Sequence, residues 1–182
     1  MKKTVEFVKP AVILLIVAAI VALVLGLVDM MTRDTIARNA EEKKTRAMQA
    51  VLAADTYEEL DLPEGAASDV DALYIAEGQG WVVQVTETGS QGAITLMVGV
   101  GEDLTCTGIS VTQSSETAGL GAIASQASAA GDAFRSQFVG QVNPVAVTKD
   151  GGEINALTGA TITSRAISNG VTSALALCET LG

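Results

Sequence analysis

Near the C-terminal end of the chain, hydroxyl-bearing and small residues crowd into Asn155-Ala-Leu-Thr158-Gly159-Ala160-Thr161-Ile-Thr163-Ser164. The segment joins a predicted loop to a predicted helix. A helix start presents free backbone N–H groups and the positive end of a dipole, which makes phosphate a natural ligand. Gly159 and Ala160 allow a ligand close to the backbone. Thr161, Thr163 and Ser164 offer hydroxyls for hydrogen bonding or for esterification. The same residues also make an ordinary helix cap, so the pattern alone leaves both readings open. Lys149 and Arg165 are rare cations in an acidic stretch near this segment. Each suits an anionic ligand and suits equally a surface ion pair.

Other chemistries are excluded. The chain of 182 residues has no histidine, which removes imidazole catalysis and any His-ligated metal or haem. Cys106 and Cys178 lie far apart with no CxxC pairing, which removes a cysteine-ligated zinc or iron–sulfur site within the chain. They leave open a disulfide or two buried thiols. A redox role would therefore use a bound organic cofactor. The net charge of -10 is uneven: most of the Lys and Arg fall in the first fifty residues, and only Arg135, Lys149 and Arg165 follow. So acidic a main domain is not a nucleic-acid binder. Trp81 reads as core more readily than as a platform for an aromatic ligand.

The elements that must position these residues follow from pattern. Ala11 to Val28 carries no charge and as a helix extends roughly 27 Å, close to the hydrocarbon thickness of a bilayer. No A-x-A-like site follows it, so it reads as an uncleaved anchor. Ile36, Ala40, Ala47 and Val51 then recur at helical spacing, as do Met48 and Leu52. The expected organisation is a tail over 1–9, a transmembrane helix over 10–30, a helical stalk over 31–54 and a domain over 55–182. Within that domain Leu73–Ala76, Trp81–Glu87, Ala93–Val100 and Leu104–Thr112 read as strands. Ala122–Phe138 is helix-compatible, Val145–Thr148 reads as a short strand, and Ser164–Thr180 as the last helix. Strands followed by segregated helices predict an α+β fold, a small antiparallel sheet flanked by helices.

Three segments carry a resemblance to a known family. Thr158-Gly159-Ala160-Thr161 with Thr163-Ser164 resembles the [S/T]-G-A-T-x-T-S motif of FMN-binding domains. In that family a flavin transferase uses FAD to attach FMN, through its phosphate, to the last Thr of S/T-G-A-T, and the resemblance implies Thr161 as the acceptor. The family pattern often has Asp where this chain has Asn155. Ser115-Glu116-Thr117-Ala118-Gly119-Leu120-Gly121 resembles H-x-E-T-P-G-L-G, a loop that lies against the flavin ring, with Ser114 in place of His and Ala118 in place of Pro. Gly89-Ser90-Gln91-Gly92-Ala93-Ile94 resembles G-Y-G-G-P-I, with Ser90 in place of Tyr. The resemblance implies a cofactor-binding set of Thr158, Gly159, Ala160, Thr163, Ser164, Glu116, Thr117, Gly119, Leu120, Gly121, Ser90, Gly92 and Lys149.

Within FMN-binding domains the order of motifs behind a short anchor is similar to that of the RnfG proteins of Rnf complexes, membrane-bound ferredoxin:NAD oxidoreductases coupled to ion transport. That resemblance implies an electron relay through covalent FMN, without independent turnover. It implies as partners the iron–sulfur and flavin subunits of the complex, and a flavin transferase for maturation. It also implies a single-pass protein of the cell (inner) membrane, N-terminus cytoplasmic and flavin domain extracytoplasmic. The corresponding protein of the sodium-pumping NADH:quinone oxidoreductase shares the domain and is the alternative in the same class. A pilin-like structural protein and a membrane-anchored redox sensor are alternatives outside it.

Overall fold

The computed structural model describes residues 2–181, with side chains from Pro10 onward. The chain divides into two compact units, Met1–Glu42 and Lys43–Gly182. A long helix, α1 (Lys2–Val51), begins in the first unit and ends in the second. In the first unit the large apolar residues from Val12 to Val28 are exposed, each at least 47%. The helix has a window of mean hydropathy 3.3 with none of it buried, so it is long and apolar enough to cross a membrane. Asp29 and Arg33 close the apolar stretch with an i,i+4 ion pair at 2.6 Å.

The second unit is built on one antiparallel sheet. Strands β1 (Glu58–Leu60), β2 (Val70–Ala76), β3 (Gly80–Thr88), β4 (Ala93–Gly101) and β5 (Cys106–Ser114) lie side by side in chain order. Short turns join β2 to β3, β3 to β4 and β4 to β5, so each strand pairs with the next. Side chains alternate between faces, and both faces are buried. Val83, Val85, Leu96 and Val98 face α3 (Thr161–Glu179) and form the main core with Ile167, Val171 and Leu175. Val82, Met97 and Tyr74 point the other way and pack on Ala47, Met48, Val51 and Leu52 at the end of α1.

Close approach on each face depends on glycine. A Cβ on Gly170 of α3 would sit 3.2 Å from Val85 and 3.3 Å from Leu96. On the opposite face, a Cβ on Gly99 would lie 2.5 Å from the Val51 carbonyl oxygen. Thr107 donates to that same oxygen at 2.5 Å, and Lys43 Nζ donates to the Thr112 carbonyl.

The α+β architecture, one apolar N-terminal helix followed by an antiparallel sheet with flanking helices, agrees with the pattern reading. Several elements differ from it. The stretch 122–138 is not one helix. It is a 3₁₀ turn, Gly121–Ser125, followed by α2 (Ala129–Ser136). Ser128 breaks the run by accepting from Gly131 N–H as an N-cap. Val145–Thr148 forms no strand of the sheet; Val147 makes an isolated parallel bridge to Ile154. The last helix starts three residues earlier than expected, at Thr161. β1, short and mostly exposed, had no sequence signal.

Candidate functional site

The start of α3 is an open helix terminus. Its cap, Ala160, offers no side-chain acceptor, so the first helical N–H groups are available to a ligand. The turn before it needs Gly159, whose φ is 76°. Ser164 secures the turn from below: its hydroxyl accepts from Leu157 N–H at 3.0 Å and donates to the Ala160 carbonyl at 2.9 Å. Ser164 is fully buried and is therefore a structural cap rather than a ligand contact.

A cleft of about 380 Å³ opens above this terminus. Ser90, Glu116, Thr117, Leu120, Gly121, Lys149, Gly159, Ala160, Thr161 and Thr163 line it, so the three motif segments and Lys149, distant in sequence, meet there. Gln91 and Ile162 line it as well, and the sequence reading missed both. Ile162 carried a readable signal: it falls off the Ile167–Val171–Leu175 stripe, and the structure leaves it 56% exposed. Thr158, Gly92, Gly119 and Ser164 do not line the cleft. Gly119 supplies a turn with φ of 77°.

The hydroxyls of the motif have different environments. Thr161 Oγ1 is at the cleft wall, 3.3 Å from Lys149 Nζ, which donates to it. Thr163 is 1% exposed, and its hydroxyl donates to Glu116 Oε2. Thr158 lies outside the cleft. Glu116 Oε1 in turn accepts from Gln91 N–H at 2.9 Å. Burial pushes the Glu116 carboxyl up, but hydrogen bonds from the Gln91 amide, the Thr163 hydroxyl and the Ser90 and Gly92 amides outweigh it. The group is held below its ordinary range.

Arg165 takes the ion-pair reading. Its Nε and a terminal nitrogen both meet the Asp150 carboxylate at 2.6 Å. That pairing, with a smaller contribution from Lys149, holds Asp150 low. Asn155 is tied to the end of α2: its N–H and Nδ2 both donate to Gln137 Oε1, at 2.8 and 3.1 Å. Trp81 belongs to the margin of the main core, not to the cleft. Cys106 and Cys178 are both free and buried. No cluster of His, Cys, Asp and Glu able to hold a metal occurs among the described residues.

An uncapped helix start, a lysine and adjacent hydroxyls make a site for a phosphate group. Exposed Leu120 and Ile162 beside it give the same cleft an apolar wall. The combination fits a phosphorylated aromatic cofactor.

Residues 89–176, which include the whole cleft, match the family model of the FMN-binding domain, and residues 1–51 match that of the RnfG N-terminal region. The G component of the ion-translocating oxidoreductase complex of Methanosarcina acetivorans is 32% identical, over 93% of this chain and 93% of its own length. The G component of the Na(+)-translocating ferredoxin:NAD(+) oxidoreductase complex of Acetobacterium woodii is also 32% identical, over 95% of this chain and 92% of its own. The counterpart from the proton-translocating complex of Clostridium ljungdahlii is 40% identical, over 52% of this chain and 51% of its own.

Proposed function

The chain belongs to the RnfG family of the Rnf complexes, and on that basis we propose that it is a membrane-anchored electron relay bearing FMN as a phosphoester on Thr161. The observation that carries the proposal is the contrast among the motif's hydroxyls. Thr161 alone of Thr158, Thr161, Thr163 and Ser164 is both in the cleft and unsealed, with a cation 3.3 Å away. Thr163 and Ser164 are committed to Glu116 and to the Ala160 turn.

Attachment uses FAD and a flavin transferase. The Thr161 oxygen attacks the phosphorus on the flavin side of the pyrophosphate. An O–P bond forms to Thr161, the bridging P–O bond breaks, AMP leaves, and the hydroxyl proton is released to solvent. Lys149 and the α3 N-terminus stabilise the charge on that phosphorus centre. When bound, FMN supplies one- and two-electron chemistry. The chain's own contribution is to hold the phosphate, to set Leu120 and Ile162 against the ring system, and to keep the cofactor from leaving.

The apolar part of α1 is the anchor, with the N-terminus on the cytoplasmic side and the flavin domain outside. The partners are the other subunits of the complex. Relatives named for sodium and for proton translocation both resemble the chain, so its sequence is compatible with either coupling ion.

The test is intact mass after expression of the full chain with its transferase. One adduct of FMN less water is expected, fluorescent in a denaturing gel. Thr161→Ala should abolish it, and Thr163→Ala should still carry it at the end-point. An unmodified native chain, or an adduct that survives in Thr161→Ala, defeats the proposal.

A further inference from the structure

Glu116 stands where the three segments of the cleft meet. A carboxylate offers about four acceptor directions on two oxygens. Here both oxygens are spent inside the protein. Oε1 accepts from Gln91 N–H, 25 residues away in sequence, and Oε2 accepts from the Thr163 hydroxyl, 47 residues away. The amides of Ser90 and Gly92 also turn toward the group. Two glycines leave room for it. A Cβ on Gly89 would collide with Oε1, and a Cβ on Gly121 would lie 2.5 Å from Oε2 and 2.5 Å from Thr163 Oγ1. The carboxylate thus joins the β3–β4 turn, the loop after β5 and the first turn of α3.

We infer that Glu116 is a positioning residue: by binding the 89–92 turn through its amides and α3 through Thr163, it fixes the Thr161 hydroxyl in register with the rest of the cleft. It acts through other residues and does not hold the cofactor itself. This inference rests on the proposed attachment at Thr161. The low-lying Glu116 carboxyl supports it, since the group stays ionised as an acceptor at neutral pH.

The experiment measures the rate of FMN attachment by intact mass, with the full chain in detergent, purified transferase and FAD. The variants are Glu116→Ala, Glu116→Gln, Thr163→Val and the double variant Glu116→Ala/Thr163→Val. Hydrogen bonds to a charged group are strong enough that Glu116→Ala should slow attachment about tenfold or more at saturating FAD. Thr163→Val should slow it less, and the double variant should be no slower than Glu116→Ala, because both changes break one linkage. Glu116→Gln keeps the shape, accepts from Gln91 N–H and can donate to the Thr163 oxygen. It should recover most of the rate, to within about threefold of native. If Glu116→Ala does not fold, the Glu116→Gln and Thr163→Val rates carry the comparison. Multiplicative losses in the double variant, a Glu116→Gln rate as low as that of Glu116→Ala, or unchanged rates throughout overturn the inference while native attachment stands. A native chain that takes no adduct removes the attachment reading and this inference with it.

Discussion

Gly99 and Gly108 are cross-strand partners on β4 and β5, and the end of α1 lies over both. The same substitution at these neighbours should have opposite outcomes. A Cβ on Gly99 would collide with Thr107 Oγ1 and fall 2.5 Å from the Val51 oxygen and 2.8 Å from the Val51 carbonyl carbon. Backbone atoms of Val51 must then move, and the Thr107–Val51 hydrogen bond goes with them. Overpacking costs about 1–3 kcal/mol and the hydrogen bond about 1 kcal/mol, so Gly99→Ala should lose about 2–4 kcal/mol. At about 2.1 cal/mol/K per residue over Lys43–Gly182, that lowers Tm by ~7–14 °C. A Cβ on Gly108 meets Val51 Cα at 3.5 Å, an ordinary contact. Gly108→Ala should change stability by no more than about 1 kcal/mol and stabilise if anything, because alanine restricts the unfolded chain. The single tryptophan, Trp81 on β3, reports the transition by fluorescence in detergent-solubilised protein. Equal losses in the two variants, or a Gly99→Ala protein as stable as native, would refute the claim that the end of α1 is seated directly on this sheet.

Lys149→Met should slow FMN attachment a few-fold and no more, since the side chain is exposed and screened; Lys149→Arg should restore part of the rate in the same mass assay. Asn155→Asp should cost about 1 kcal/mol in a urea melt, because a carboxylate replaces the Nδ2 donor facing Gln137 Oε1. It should also leave attachment no faster, despite restoring the family's acid. Burial, and then the charge of Asp69, holds the Glu87 carboxyl above its ordinary range. A raised folded pKa means that stability falls as pH rises through the carboxylate range. Glu87→Gln removes that loss and brings an N–H toward the buried Asp69 Oδ2, which has no hydrogen-bond partner among the described residues. With Glu87 only partly buried and screened, the gain at neutral pH should be no more than about 1 kcal/mol, an advantage that shrinks in acid as native Glu87 protonates; a gain independent of pH would contradict this account.

What could be read from sequence was what local chemistry dictates. Alternating β-branched residues marked β2 to β5, and an uncharged run marked the apolar helix. The clustered glycines and hydroxyls marked the start of α3 because such a turn needs a left-handed residue and a small cap. Tertiary context decided the rest. Ala122–Phe138 has helix-compatible composition throughout, yet a Cβ at Gly131 would collide with the Gln126 oxygen, so chain packing and the Ser128 cap divide it. Ala47, Met48, Val51 and Leu52 share a helical stripe, but nothing local says that they cover a sheet. The motif resemblance implied Thr161 as the acceptor, but the differing environments of the hydroxyls were hidden. Thr161 and Thr163 are two residues apart and chemically alike, and only Glu116 arriving from another loop seals one and leaves the other open.

The two thiols bear on where such a domain can work. Burial raises Cys106 to about 11 and Cys178 to about 12, so at neutral pH both are protonated and unreactive. No cystine crosslinks the fold. A reductant therefore has no covalent brace to sever between Cys106 and Cys178. The domain's own thiols thus stay out of the electron traffic it is proposed to carry.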